Sequence, residues 1–235
     1  MRPSHFIFIR GKHKTGKLVA RELGAHYHRR KARCYIPINY GGVHPQAILN
    51  KRLYNKLTQL KVLKRAELPT IPFFEHKQEV SQFPVLGRKK FHYQGRDIKV
   101  IQNEEELYRD YSSDFYTLYI PKRYEYRVHV VLGSVLINIK IRKDESINPE
   151  ELIVWNHKTG FKFITYEGRF VEDLTELGLK TLQALNYDFG AIDIIRSYDK
   201  RFYILEVNSA PGLSPKRLEW YKDQFLRWME GYNEV

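Results

Sequence analysis

The sequence predicts a mixed α/β protein, of the α+β kind, and three observations carry this prediction. Residues 190–195 and 202–208 alternate apolar and polar side chains, as half-buried strands do. A helical run covers residues 55–66 and ends shortly before a proline-containing segment. Residues 215–232 place large apolar side chains at helical spacing and predict a packing helix at the C-terminal end. A chain of 235 residues can form one large or two small domains with proper cores.

The N-terminal part begins with a predicted strand over residues 5–10, followed by a glycine-lysine segment at residues 11–17 and a helical run at residues 18–23. The segment matches a phosphate-binding P-loop at every position except the last. Leu18 replaces the hydroxyl residue that would ligate Mg²⁺, and no apolar strand ending in Asp follows at a suitable distance. We therefore interpret it as a turn whose free amides and lysines can bind an anion at a helix N-terminus, such as an acidic substrate.

Positive charge is concentrated at the N-terminal end. Residues 1–70 contain 16 Lys and Arg against two Glu, a net of +14, which leaves 13 minus 14, or −1, for the other 165 residues. Five of the nine histidines and a basic cluster at residues 29–33 lie in the same part. Such a field attracts a polyanion, and the candidates are a nucleic acid, an acidic protein tail, a phosphorylated metabolite or polyanionic envelope material. The alternative is a basic surface that only maintains solubility.

Two features indicate an intracellular setting. The single cysteine, Cys34, excludes an internal disulfide. The apolar run at residues 6–9 is too short for a signal peptide or a membrane span. We therefore expect a cytoplasmic protein without a membrane span.

Oxygen ligands are concentrated in the paired C-terminal runs. Glu206 and Asn208 are two residues apart on a predicted strand and share a face, with Leu205 and Val207 on the opposite face. Asp193 joins the same face if the hairpin loop between the runs holds an even number of residues. Two carboxylates and an amide backed by apolar residues suit Mg²⁺. The alternative, a solvated sheet face that carries acids, fits less well with such apolar strands.

Residues 187–195 and 205–213, which include an Asn-x-x-Pro-Gly turn, resemble the metal-binding end of the ATP-grasp superfamily. The resemblance is closest to the carboxylate-amine ligases that glutamylate ribosomal proteins and to related small ATP-grasp proteins of bacteriophages. It covers about residues 50–214 and implies an ATP-grasp fold with a short N-terminal α/β lobe. It also implies ATP and two Mg²⁺ ions, with Mn²⁺ as an alternative ion. The metal ligands that it implies are Asp193, Glu206 and Asn208.

The resemblance also implies how the nucleotide is held. Lys56 stands at the start of the helix where the family has a phosphate-contacting lysine. Arg88 stands where the family usually has a lysine, and it can grip phosphate bidentately. The loop after Arg88 contains a single glycine, Gly95, and therefore offers fewer free amides than the family's loop, so His92 is a candidate replacement donor.

Further residues complete the implied nucleotide site. The resemblance gives Tyr119 and Ile120 the backbone groups that pair with the adenine edge. Glu125 and Arg127 share a strand face and are implied to lie near the nucleotide and the reacting phosphate.

The resemblance also implies a cation that stabilises an acyl phosphate. Lys140 and Arg142 lie on one strand face, and one of them is the implied residue. The alternative for this pair is an ordinary solvated strand face. Asn156 matches an asparagine that these ligases often carry after a mobile loop.

From these expectations we predict three parts. The first is a short basic N-terminal α/β lobe at 1–50. The second, at 51–118, consists of a linker helix (51–67) and a small ATP-clamping lobe, and the third, at 119–235, is a catalytic lobe with the C-terminal helix. The predicted function is an ATP- and Mg²⁺-dependent carboxylate-amine ligase that forms an amide through an acyl phosphate. Its acceptor would be a polyanion or a protein. Two alternatives stay open, kinase-type phosphoryl transfer and a basic nucleic-acid-binding protein with a vestigial ATP-grasp fold.

Overall fold

The computed structural model describes residues 2–10, 15–28, 35–90, 98–146 and 148–232. Within these ranges the chain forms three sheets and five α-helices, which confirms the predicted mixed α/β class. The predictions for His92, Gly95, Cys34 and the basic cluster at residues 29–33 lie outside the described residues. None of the described helices combines the length and the apolar character needed to cross a membrane.

The N-terminal sheet is parallel and has the order β2-β1-β3. Its strands and the helix that follows β1 are β1 (Phe6–Arg10), α1 (Thr15–Leu23), β2 (His26–His28) and β3 (Ile36–Tyr40). The predicted strand and helix are both present, and the helix begins at Thr15 rather than at Leu18. The first residues of the P-loop-like segment, 11–14, lie outside the described residues.

The C-terminal helix α5 (Pro215–Gly231) packs against this N-terminal sheet, as its apolar spacing indicates. The rings of Phe8 and Phe225 meet edge to face with centroids 5.4 Å apart, and Phe6 lies 5.6 Å from Trp228. The two ends of the chain therefore share one hydrophobic core.

The linker helix α2 covers Lys56–Arg65, which is shorter than the predicted range 51–67. Asn55 ends the preceding extended segment because its side chain accepts a hydrogen bond of 2.9 Å from the Thr58 amide and caps the helix. Lys56 is therefore the first helical residue. Asn50, which has a left-handed backbone and is fully buried, bonds through its side chain to the backbone of Phe189 in the large sheet and fixes the entry to the linker.

The small sheet is antiparallel and has the order β4-β7-β5-β6. Its elements are β4 (Phe73–Phe74), β5 (Val85–Arg88), β6 (Lys99–Ile101), α3 (Glu104–Arg109) and β7 (Phe115–Leu118). The predicted strand runs at 83–88 and 116–120 contain β5 and most of β7. Arg88 is the last residue of β5, so its position at the end of a strand is as predicted.

The large sheet is antiparallel and has the order β10-β9-β8-β11-β12. Its strands are β8 (Lys122–Val131), β9 (Ser134–Arg142), β10 (Phe161–Thr165), β11 (Phe189–Ser197) and β12 (Phe202–Asn208). Helix α4 (Val171–Leu185), which the sequence analysis did not identify, packs on one face of this sheet together with α2. Gly178 of α4 allows the close approach, because a Cβ at that position would lie 2.7 Å from Val128 Cγ1. The opposite face of the sheet is turned toward the small sheet.

Candidate active site between the small and large sheets

A cavity of about 880 Å³ lies between the small sheet and the large sheet. Its apolar wall includes Ile71, Leu86 and Leu118, and its polar wall comes from β8, β9, β11 and β12. Seven Lys or Arg side chains and three carboxylates are among its described lining residues. The volume and the division into apolar and polar walls are typical of a site for a small molecule.

Asp193 and Glu206 face each other directly across β11 and β12 because of a one-residue irregularity in the pairing. Arg196 pairs with Phe202 at the hairpin end, so the loop between them has five residues, an odd number. In that register Asp193 would lie opposite Leu205. The register shifts by one residue between Asp193 and Ile194, and this bulge places Glu206 opposite Asp193.

The bulge corrects one expectation from the sequence. Leu205 and Glu206 both line the cavity, so the prediction that Leu205 lies on the face opposite Glu206 is wrong. Val207 does lie on the opposite face, in the core beneath the sheet. The convergence of Asp193, Glu206 and Asn208 therefore depends on the bulge and not on the predicted even-numbered loop.

Every carboxylate in this group has a cationic partner. Arg127 grips Asp193 bidentately, with Nε to Oδ1 at 2.6 Å and Nη2 to Oδ2 at 2.8 Å. Glu206 accepts hydrogen bonds from Lys56 and from Arg88, the latter at 3.1 Å. Burial lowers the pKa of Lys56, although the charge of Glu206 opposes this shift. Burial by itself would lower the pKa of Arg127, but the charge of Asp193 outweighs burial and raises this pKa.

The oxygen donors fit a hard divalent cation. Asn208 joins the two carboxylates because its Nδ2 donates to Glu206 Oε1 at 3.2 Å. Within the described ranges, no group of three or more His, Cys, Asp or Glu side chains is placed to hold a metal ion. The candidate ligands are thus two carboxylates and one amide, a set that suits Mg²⁺, which completes its shell with water and phosphate oxygens.

The side chain of Gln59 holds α2 against the edge strand of the large sheet. Its Nε2 donates to the carbonyl of Val207 at 3.0 Å, and its Oε1 accepts from the amide of Val207 at 3.0 Å. A side-chain amide thereby takes the place of a neighbouring strand. Because Gln59 lies one helical turn after Lys56, this pair of bonds fixes Lys56 beside Glu206.

A second buried charge cluster forms around Glu125. Glu125 accepts hydrogen bonds from Lys122 at 2.7 Å and from Lys140. Lys140 also donates to the Trp155 carbonyl at 2.5 Å, and the Lys122 ammonium lies 4.7 Å from the centroid of the Trp155 ring. Burial by itself raises the pKa of Glu125, but the two ammonium groups outweigh it and hold the pKa below its ordinary value. Burial lowers the pKa of Lys122.

The sequence analysis missed several charged cavity residues, among them Lys122 and Arg217. Lys122 lies three residues before Glu125, a spacing that puts two residues on opposite faces of a regular strand. The pairing of β8 with β11 shifts register at this point, between Arg196 and Ser197, so alternation could not have found Lys122.

Arg217, in the first turn of α5, lines the cavity and donates to Asn138 Oδ1 at 2.8 Å. Its Nε is buried without a hydrogen-bond partner, and burial followed by the charge of Arg127 lowers its pKa. No local pattern identifies Arg217, because only the fold of α5 brings it to the sheet.

The remaining predicted residues have mixed positions. Lys140 lines the cavity, whereas Arg142 is exposed, is not among the lining residues, and donates to the Glu145 carbonyl at 3.4 Å. Tyr119 and Ile120 line the cavity, and the Tyr119 amide already donates to the Pro84 carbonyl at 3.0 Å.

Asn156 also lines the cavity, where its side chain accepts from the amides of Lys158 and Thr159. These two bonds show that Asn156 shapes the loop at the cavity rim.

Comparison with known proteins gives structural matches only. No family model and no curated protein sequence matches the chain. It is similar to a D-alanine–D-alanine ligase from Bacillus anthracis complexed with ATP, at 15% identity, 93% coverage of each chain and a TM-score of 0.67. It is also similar to the ATP-grasp ligase PsnB complexed with a minimal precursor, Mg and ADP, at 9% identity, coverage of 94% of this chain and 97% of that chain, and a TM-score of 0.66.

A third match is the macrocyclase MdnC from Microcystis aeruginosa MRC, bound with precursor peptide MdnA. The identity is 13%, the coverage is 94% of this chain and 99% of that chain, and the TM-score is 0.61. The matches extend over nearly the whole of both chains, so the likeness concerns the complete architecture. The chain has the ATP-grasp fold.

Proposed function

We propose that this protein is an ATP- and Mg²⁺-dependent carboxylate-amine ligase. One observation carries the proposal: a single cavity joins an excess of Lys and Arg side chains to two carboxylates, Asp193 and Glu206, which face each other across adjacent strands. Cations in excess suit a polyphosphate, and the oxygen group suits the metal that accompanies it. The ATP-grasp fold supports this choice over other nucleotide-binding chemistries.

The nucleotide would lie with its base against the apolar wall and its phosphates toward the charged wall. Ile71, Leu86 and Leu118 offer the apolar contact. Because the Tyr119 amide is taken by Pro84, Tyr119 would offer its carbonyl to the adenine edge, and Ile120 its backbone. Lys56 and Arg88 stand at the phosphate end.

The ion pairs around Glu206 suggest how the chain receives the nucleotide. Lys56 and Arg88 both contact this carboxylate, and both can turn to a phosphate oxygen. Once Lys56 and Arg88 turn to phosphate, Glu206 would be available to hold Mg²⁺ together with Asp193 and Asn208. When bound there, Mg²⁺ would neutralise the phosphate charge. Exchange of partners would keep every buried charge compensated, which limits the cost of the change.

The reaction would proceed in two steps. A substrate carboxylate oxygen attacks the γ-phosphorus of ATP, giving an acyl phosphate and ADP. An amine then attacks the acyl carbon, expels inorganic phosphate and loses a proton, leaving an amide. No protein nucleophile is required. Arg127, Lys140 and Arg217, which line the cavity, would stabilise the negative charge on the transferred group, whereas Arg142 is not among the lining residues.

The acceptor is proposed to be an acidic protein or peptide. The basic N-terminal part favours a polyanionic partner. Two of the structurally similar proteins were solved with precursor peptides, which supports a peptide over a nucleic acid.

The test is mass spectrometry of candidate acidic peptides incubated with the protein, ATP, Mg²⁺ and a mixture of amino acids. A mass gain equal to an amino-acid residue, together with formation of ADP, supports ligation. A gain equal to a phosphoryl group would indicate a kinase instead. The Glu206→Gln variant is the control and is expected to give no product while remaining folded.

A further inference from the structure

A second cavity, of about 390 Å³, lies on the face of the large sheet that is turned away from the candidate active site. Tyr124 and Tyr126 of β8 line it, with Arg196 of β11 and Phe170 at the start of α4. Residues of β8 alternate between the two faces, so Glu125 and Arg127 point to the active site while Tyr124 and Tyr126 point to this cavity. The two cavities are separated by the sheet itself.

Arg196 is the central residue of this second cavity. Only 7% of it is exposed, and its Nε is buried without a hydrogen-bond partner. Its guanidinium lies 4.4 Å from the ring centroid of Phe170 and 5.8 Å from that of Phe202. The rings hold the guanidinium in place but supply no hydrogen-bond acceptor in the plane of its N–H groups. A buried guanidinium of this kind is stabilised by an oxyanion.

Two further arginines, Arg123 and Arg169, line the same cavity, and both are exposed. None of the three arginines forms a salt bridge within the part of the chain that the structure describes, and no carboxylate is among the residues that line the cavity. Three positive charges therefore meet here without a negative one. The active-site cavity differs in this respect, because each of its three carboxylates is paired with a cation.

The aromatic part of the wall has a fixed shape. The ring of Tyr166 lies against Gly168, where a Cβ would stand 2.6 Å from its ring and hydroxyl atoms. Tyr166 and Tyr126 also meet edge to face, with centroids 5.1 Å apart. A side chain at position 168 would therefore displace the Tyr166 ring from this position.

We propose that this cavity binds a carboxylate or phosphate group carried on a flat apolar ring. The guanidinium groups of Arg196, Arg123 and Arg169 would hold the oxyanion, since their planar forks match two oxygens of one group. The tyrosine and phenylalanine rings would pack against the flat part of the ligand. The volume fits one small molecule or one side chain of a peptide, and the site is independent of the proposed ligase reaction.

Phenyl phosphate and benzoate are the probes, with benzyl alcohol as the uncharged comparison. Isothermal titration calorimetry should show saturable binding of at least one of the two anions, with a dissociation constant of about 1 mM or lower, and no binding of benzyl alcohol. Which anion binds more tightly distinguishes a phosphate site from a carboxylate site. Absence of saturable binding for both anions would overturn the proposal.

Variants locate the binding. Arg196→Gln is expected to raise the dissociation constant of the anion about tenfold or more, because a charge-assisted hydrogen bond is lost. Since Arg196 is buried, Arg169→Gln at the exposed rim is a second variant that leaves the core intact, and it should weaken binding in the same direction. Arg109→Gln, at an exposed arginine on α3, is the matched control and should bind the probe like the wild type. Wild-type binding in both Arg196→Gln and Arg169→Gln would refute the proposal.

Discussion

Replacing Glu125 by Gln tests whether the buried charge cluster in the wall of the active-site cavity is held together by this carboxylate. Glu125 is the shared ion-pair partner of Lys122 and Lys140, and the side chains of the three residues are 7%, 10% and 9% exposed. Gln has nearly the same shape, so the change removes the charge and little else. The two ammonium groups would then be buried without their anion.

The low exposure decides the expected magnitude. Removing one member of a buried ion pair typically costs about 3–5 kcal/mol, whereas removing an exposed pair costs under about 1 kcal/mol. We therefore expect Glu125→Gln to lower the free energy of unfolding at neutral pH by about 3–5 kcal/mol. The matched control is Glu105→Gln, since Glu105 pairs with Arg109 at 2.6 Å but its side chain is 72% exposed. Glu105→Gln should lower the free energy of unfolding by less than about 0.5 kcal/mol.

Urea denaturation, followed by circular dichroism, measures both variants, and pH supplies a second check. Because the pKa of Glu125 is held below its ordinary value of 4.5, the native state binds fewer protons than the unfolded state in the window below that value. The stability that Glu125 contributes is therefore present above its ordinary pKa and is lost as pH falls through the native-state pKa. The difference between wild type and Glu125→Gln should shrink on acidification below 4.5. Equal small losses in Glu125→Gln and Glu105→Gln at neutral pH would refute the assignment of a buried charge cluster.

Three further predictions follow from particular contacts. Gln59→Leu should lower the free energy of unfolding by about 1–3 kcal/mol in urea denaturation and raise the KM for ATP, because both backbone groups of Val207 lose their partner. An unchanged KM would show that this contact does not position the active site. Gly178→Ala should lower stability by about 1–3 kcal/mol in thermal denaturation, because the new Cβ would press on Val128; a higher Tm would contradict the tight packing. Arg217→Gln should raise the KM for the acid substrate and leave ATP affinity near the wild-type value, since the hydrogen bond of Arg217 goes to Asn138 on β9 and not to the group around Glu206. A loss of ATP affinity alone would contradict this prediction.

The sequence could predict that Glu206 and Asn208 share a strand face because side-chain alternation on a strand is a local property. It could not predict the bulge that brings Asp193 opposite Glu206, since a register shift depends on both strands and on what packs around Leu205. Asp193 and Glu206 do face each other, although the predicted loop parity was wrong, and their role as metal ligands stays a prediction. The position of a residue along a strand has the same limit: Lys140 and Arg142 share a face, but only Lys140 lies deep enough to line the cavity.

Other parts of the site needed the tertiary fold. Arg217 reaches the cavity because α5 packs on the N-terminal sheet, a contact between the two ends of the chain that no local pattern contains. Helix α4 is different, because Leu174, Leu182 and Leu185 lie on one buried face and their spacing carried a readable signal. The sequence therefore contained more information on the helices than on the depth of charged residues.

The most direct test of the central claim is calorimetry of a non-hydrolysable ATP analogue with Mg²⁺. Wild type should bind the analogue, and the Lys56→Ala, Arg88→Ala double variant should bind it about a hundredfold more weakly, because two charge-assisted phosphate contacts are lost. Arg169→Ala removes an equal kind of charge on the other face of the sheet and should bind like the wild type. Undiminished affinity in the double variant would place the nucleotide outside this cavity and contradict the proposed ligase site.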